Sequence, residues 1–213
     1  MLVGLTIGLF VIAGALSMFV SNIINSRRTL VEARLNQDLQ SAADLISREL
    51  RRAGYWGNAI NGTIAVGTGT ATVPNPYGAI VSNPSSIGYS YSKTSDGKVD
   101  ENDTLDANEQ FGFRLSVDGV VQMQTAANNW QDLTDKNVMK VTALSINDSG
   151  TTAIPMGSVC SAAVLPSTPN FPYIVLRQYV LTITAQAARD AGVTRWLRTR
   201  VKARNDLFVG ACP

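Results

Sequence analysis

The sequence predicts an α+β fold, with one long N-terminal α-helix packed on an antiparallel β-sheet. Three observations carry this. The first twenty residues, MLVGLTIGLFVIAGALSMFV, hold no charge. Residues 25–54 continue without proline and alternate charged with apolar positions at helical spacing. Beyond Gly57 the pattern changes to short apolar runs separated by Gly, Ser, Thr, Asn and Pro, which suits strands and loops. Three parts follow: residues 1–24 as a membrane or assembly half-helix, 25–54 as its amphipathic continuation, and 55–213 as a β-rich head.

The apolar run comes first. Twenty residues at 1.5 Å rise give about 30 Å, one hydrocarbon thickness. A helix in lipid satisfies its backbone internally. Gly4, Gly8 and Gly14 leave small surfaces on which another helix could pack, and Phe10 and Phe19 are further candidate packing residues of the same run. A cleaved signal peptide is the rival reading, with Ala13-Gly14-Ala15 as its cleavage site. It lacks a basic n-region, and the run continues past that site through Val20.

The amphipathic half carries one stripe: Val31, Leu35, Leu39, Ala42, Ile46, Leu50 and Ala53 step by three or four. Arg34–Asp38 and Asp44–Arg48 stand at i,i+4, where ion pairs are expected. Joined to the apolar run, this makes a helix of about 53 residues, roughly 80 Å long. It ends at Arg51-Arg52-Ala53-Gly54-Tyr55-Trp56-Gly57. Arginines suit the negative end of the helix dipole. Gly54 is the expected left-handed cap, and Tyr55 and Trp56 are expected to fold back on the helix.

Candidate strands in the head are Thr63–Val66, Ala79–Val81, Ile87–Tyr91, Phe111–Leu115, Val120–Gln124, Lys140–Ile146, Tyr173–Ala185 and Thr194–Ala203. Ser116-Val117-Asp118-Gly119 and Arg189-Asp190-Ala191-Gly192 are turns between neighbours.

Composition narrows the chemistry. The chain has no histidine, so the commonest general base and metal ligand are missing. With no nucleophile constellation or phosphate loop either, no enzyme and no cofactor are expected. The net charge of +2 is small, and residues 25–54 hold all of it, with six basic side chains against four acidic ones. Cys160 and Cys212 fit a single disulfide in an oxidising compartment, or two separate buried thiols. Charge sets up a conflict: Arg27 and Arg28 follow the apolar run, and the positive-inside rule would keep the head cytoplasmic. A disulfide needs the opposite orientation. A basic segment preceding Met1 is expected to resolve it.

Two clusters bear on binding. Asp96, Asp100 and Asp103 resemble part of a calcium loop, but Ser92 and Thr94 stand at the first two ligand positions without carboxylates. A solvated acidic loop is the plainer reading. Trp196, Arg198, Arg200, Lys202 and Arg204 share one face of a strand, with Leu197, Val201 and Ala203 on the other. Such a face could hold the phosphates and stack a base of DNA. It could equally be an exposed charged face that protects an edge strand, or a contact with a like subunit.

The segments MLVGLTIGLFVIAGALSMFVSN, LISRELRRAGYWGN and VKARNDLF, with weaker support from WQDLTDKNVMKVTALSI, resemble type IV pilin-like proteins, most closely the PilW group of minor pilins. The resemblance implies a type IV pilin-like fold. It also implies a leader removed by a prepilin peptidase, methylation of the new N-terminus, and a glutamate that here would precede Met1. The implied role is structural: a minor pilin that helps initiate a type IV pilus and stays near its tip. Inner-membrane lipid is the first partner, with the head in the periplasm. Other major and minor pilins follow, in the extracellular fibre, and a tip adhesin is a further candidate. The alternatives are a J-like type II secretion pseudopilin and a membrane-tethered DNA-uptake receptor.

Overall fold

A computed structural model describes residues 2–59, 74–93, 103–160, 166 and 171–210. One α-helix, α1, is found among the described residues and runs Leu2–Arg52. Eleven strands follow among the described residues: β1 Val81–Asn83, β2 Ser86–Ser90, β3 Gln110–Leu115, β4 Val121–Ala126, β5 Asn129–Asp132, β6 Met139–Asn147, β7 Thr152–Pro155, β8 Tyr173–Leu176, β9 Gln178–Ala187, β10 Asp190–Lys202 and β11 Leu207–Val209. The expected α+β arrangement is present, but the strands form three antiparallel sheets rather than one. The orders are β1-β2-β3-β4-β5, β10-β9-β6 and β11-β8-β7.

The predicted stripe is the buried side of α1. Leu35, Leu39, Ala42, Ile46, Leu50 and Ala53 are buried, and Val31 packs on the same core. Their partners are Ile87 and Phe113 from the first sheet and Leu181, Ile183 and Val201 from the second. The buried side is wider than the stripe, because two sheets wrap the helix: Ala43, Ser47 and Glu49 are also buried. The anticipated i,i+4 pairs are not among the ion pairs of the described residues. Glu32 instead meets Arg28 at 3.5 Å and Arg195 at 2.7 Å, and Glu49 lies between Arg48 at 3.9 Å and Arg52 at 3.5 Å.

The end of α1 forms as its sequence demands, with one addition. Gly54 takes φ +74°. Its amide donates to Ser90 O of β2 at 2.8 Å, so the cap is tied to a sheet rather than closed on the helix alone. Trp56 is buried, but Tyr55 stays 44% exposed instead of folding onto the helix.

Strand predictions hold best where alternation is strong. The turn at 116–119 joins β3 to β4, with Gly119 at φ +77° and its amide donating to Ser116 O at 3.1 Å. β9 and β10 form the hairpin expected around residue 190, with a bulge between Asp190 and Thr194. The stretch read as one strand from Tyr173 to Ala185 is two. Arg177 interrupts it, and β8 and β9 belong to different sheets. The strand placed at 79–81 lies at Val81–Asn83. The one placed at 63–66 falls outside the described residues. β5, β7 and β11 are short strands without a clear apolar alternation.

Candidate functional site

Two surfaces stand apart from the core. The first is the N-terminal half of α1. It is long and apolar enough to cross a membrane, and its most apolar window has no buried part. Phe10 is 85% exposed and Phe19 62%, and no atom approaches the Cβ positions of Gly4, Gly8 or Gly14 within 4 Å. The sequence-predicted packing residues thus lie unpacked against the head on one continuous helix, with Gly8 partly exposed and the others exposed. Such a rod is compatible with a membrane anchor, and it is continuous with the half of α1 that holds the head.

The second surface is β10. It is an edge strand. Trp196, Arg198, Arg200 and Lys202 are exposed, whereas Leu197 and Val201 turn toward the helix. Across the sheet the residues paired with these four are Thr184, Thr182, Val180 and Gln178, none charged. Arg204 is exposed like the other four, but it lies past the end of the strand at Lys202. Its amide instead donates to Arg51 O at 3.0 Å. It lines a cleft of about 430 Å³ with Arg51, Arg52, Tyr55, Ser92, Lys93 and Asn205.

That junction brings together two of the segments that carry the family resemblance, LISRELRRAGYWGN and VKARNDLF. Asn205 Nδ2 donates to Arg52 O at 3.4 Å and Ala53 O at 3.3 Å, satisfying carbonyls that a helix end leaves open. Beneath lies Arg177, 4% exposed, donating to Gly78 O at 2.9 Å and Asn205 O at 2.6 Å. Burial pulls its pKa down, with Tyr179 and Asp206 acting the other way. No pattern in the sequence marks Arg177, because it sits inside an apolar strand run.

Glu49 is the other residue that sequence reading missed. Tyr91 Oη donates to it at 3.3 Å, and the Arg52 guanidinium lies 4.2 Å above the Tyr91 ring. Tyr91 in turn stacks on Phe111 at 4.1 Å. Burial, then the Glu49 carboxylate, pushes the Tyr91 pKa up to about 12.

Of the acidic-loop candidates, Asp96 and Asp100 lie outside the described residues. Asp103 is described, and its carboxylate accepts from Trp56 Nε1 at 2.7 Å and Asn58 Nδ2 at 3.2 Å. It thus anchors the aromatic of the helix end. Among the described residues, no cluster of acidic or sulfur side chains could hold a metal ion. Cys160 follows a short turn at Gly157–Val159, and Cys212 lies outside the described residues.

An exposed apolar half-helix is continuous with an amphipathic half held in β-sheets, an arrangement compatible with a type IV pilin-related protein. A family model described as PpdB, prepilin peptidase-dependent protein B, matches residues 28–203, and the chain belongs to that family. No curated protein and no solved structure matches it.

Proposed function

We propose that this protein is a PilW-type minor pilin: a structural subunit, not an enzyme, that helps initiate a type IV pilus and remains near its tip. The observation that carries this is the unburied apolar half of α1, continuous with the half of the helix that the folded head holds. A surface of that size is costly in water. Lipid covers it before assembly, and the helices of other pilins cover it in the fibre. In this reading the head is periplasmic until extraction, and a tip adhesin is a candidate partner. The reading includes prepilin cleavage, N-terminal methylation and a Cys160–Cys212 disulfide. The bonded state of Cys160 supports the last of these.

N-terminal mass spectrometry of the protein from its native membranes is the test. A methylated residue upstream of Met1, followed by a short segment ending in glutamate, is the expected result. An unmethylated chain starting at Met1 would sink the reading. Gene deletion separates a pilus from a J-like secretion pseudopilus: loss of surface fibres supports the first, loss of secreted enzymes the second.

A second reading, a DNA-uptake receptor, is favoured by one observation: Trp196 is 70% exposed beside Arg198, Arg200 and Lys202. Charge reversal at Arg198 and Arg200 that leaves DNA binding unchanged removes it.

A further inference from the structure

The backbone of β10 faces two ways. Lys202 pairs with Gln178 in the register of the β9–β10 hairpin, and Ala203 N continues that register by donating to Arg177 O at 3.0 Å. In an antiparallel pair, residues that exchange both backbone bonds alternate with residues that turn both groups away. Ala203 therefore places Leu197, Thr199 and Val201 among the residues bonded to β9. Trp196, Arg198, Arg200 and Lys202 turn their amides and carbonyls the other way. Gln178 agrees: opposite Lys202, its amide donates to Thr151 Oγ1 at 3.1 Å and its carbonyl accepts from the same hydroxyl at 3.3 Å, away from β10.

β10 is the edge of its sheet, so the outward backbone groups of Trp196, Arg198, Arg200 and Lys202 have no hydrogen-bond partner among the described residues. Both ends of this stretch are closed. Thr194 O accepts from Arg195 Nη1 at 2.9 Å, and Arg204 N donates to Arg51 O at 3.0 Å. The open length between them is about 20 Å of strand. Alongside runs the flank of α1 that leads from Glu32, bonded to Arg195, to Arg51. At helical spacing it consists of Asn36, Gln40, Ala43 and Ser47, none of them charged.

The side chains of the same four residues stand on the outer face. Arg198, Arg200 and Lys202 are exposed and form no ion pair among the described residues. The sheet supplies no carboxylate to them. β6 and β9 contain no acidic residue, and the acid of β10, Asp190, lies at the hairpin tip with its Oδ1 accepting from Gly192 N at 3.0 Å. Open backbone groups and unpaired cations thus fall on the same short run.

The chemistry of this run selects its occupant. A second copy fits poorly. Pairing the open stretch with itself about a two-fold axis sets Arg198 against Arg200, or one of them against its own copy, and like charges directly opposite are destabilising. A DNA strand meets the cations, but its phosphodiester backbone has acceptors and no donors, so the outward carbonyls stay unmatched. A peptide strand supplies both. We propose that an extended segment of another protein, with acidic side chains at alternate positions, adds to β10 as an antiparallel fourth strand. Its backbone pairs with Trp196, Arg198, Arg200 and Lys202, and its acids stand across from the three cations. Main-chain bonds give the affinity and the acids give the selectivity. The proposal goes beyond the pilus reading and does not depend on it, because the edge belongs to the head alone.

The test uses the full chain in neutral detergent and a synthetic peptide of about eight residues that alternates glutamate with threonine. Amide hydrogen exchange is read residue by residue by NMR. With saturating peptide, exchange is expected to slow by about tenfold or more at Trp196, Arg198, Arg200 and Lys202. Leu197, Thr199 and Val201 should not change, because β9 already holds their amides. Arg198→Glu with Arg200→Glu should weaken binding by about tenfold or more, the effect of reversing two cross-strand charge pairs. Unaltered exchange of β9 in that variant shows that the sheet stays folded. A peptide N-methylated at its glutamates keeps its charge, cannot donate to β10, and should give no protection. Protection without the alternation, binding kept by the N-methylated peptide, or equal binding of a peptide with lysine for glutamate overturns the proposal. So does an oligonucleotide that binds this face where the glutamate peptide does not.

Discussion

The Arg177 guanidinium lies directly against Gly54, where any Cβ would overlap its Nη2. Gly54 is thus glycine for two independent reasons, its φ of +74° and this close approach. The guanidinium is not free to swing away, since Gly78 O and Asn205 O hold it. One corner fixes the end of α1, the break between β8 and β9, and the return of the chain after β10.

Gly54→Ala should therefore cost more than the usual price of a left-handed alanine. About 1 kcal/mol comes from the backbone, and about 1–3 kcal/mol from displaced hydrogen bonds of a buried group. Arg177→Met should also destabilise. In the double variant the two losses should sum to less than additive, because the overlap no longer exists. Denaturant unfolding of the four proteins measures the coupling; strict additivity would mean that the two residues do not interact.

Leu39 and Leu30 contrast the two faces of one helix. Leu39 is 2% exposed and Leu30 71%. Leu39→Ala should lower stability by about 2–5 kcal/mol. Leu30→Ala should stay within about 0.5 kcal/mol. Thermal unfolding of the two variants in detergent decides this.

Tyr89 offers the opposite sign. Its hydroxyl is buried without a hydrogen-bond partner among the described residues, while its ring stacks near Phe111 and Phe113. Burial, then Glu49, raises its pKa well above the ordinary value. Removing an unsatisfied buried group is neutral or favourable. Tyr89→Phe should gain between nothing and about 1 kcal/mol, and a clear loss in chemical denaturation would show that the hydroxyl is satisfied.

Tyr91 makes a pH prediction. Its pKa is raised from 10.0 to about 12, so folding favours the neutral phenol. That contribution is fully present below pH 10, where both states are protonated. It is lost as pH rises from 10 through about 12, because the unfolded chain ionises first. Tyrosinate absorbance should show a late step that disappears in Tyr91→Phe. Glu49→Gln should move the step to lower pH; an unmoved step would separate Tyr91 from Glu49.

The long helix and its buried stripe were legible because helical periodicity is local. The same holds for the 116–119 turn and for the exposed face of β10, whose alternation is visible in RWLRTRVK. The end of β10 at Lys202, short of Arg204, was not legible, because the end of a strand depends on what its neighbours offer, and here Arg51 O takes the Arg204 amide. The break at Arg177 was illegible for a related reason: YIVLRQYVLTITA has strand character throughout, and only Gly78 and Asn205, remote in sequence, explain the interruption. Glu49 entered the sequence only as one of four acids in residues 25–54, and Tyr91, 42 residues later, shows why it is buried.

By itself the sequence determined the apolar rod, its amphipathic continuation, the glycine cap and the α+β class. Each depends on residues within a few positions of one another, so backbone sterics and periodicity suffice. Only the tertiary structure decided that the strands divide into three sheets. It also decided that the helix end is capped by Ser90 and Asn205, and that Glu32 meets Arg195 across 163 positions. Those contacts join segments distant along the chain, and their partners are chosen by the packing of the whole core.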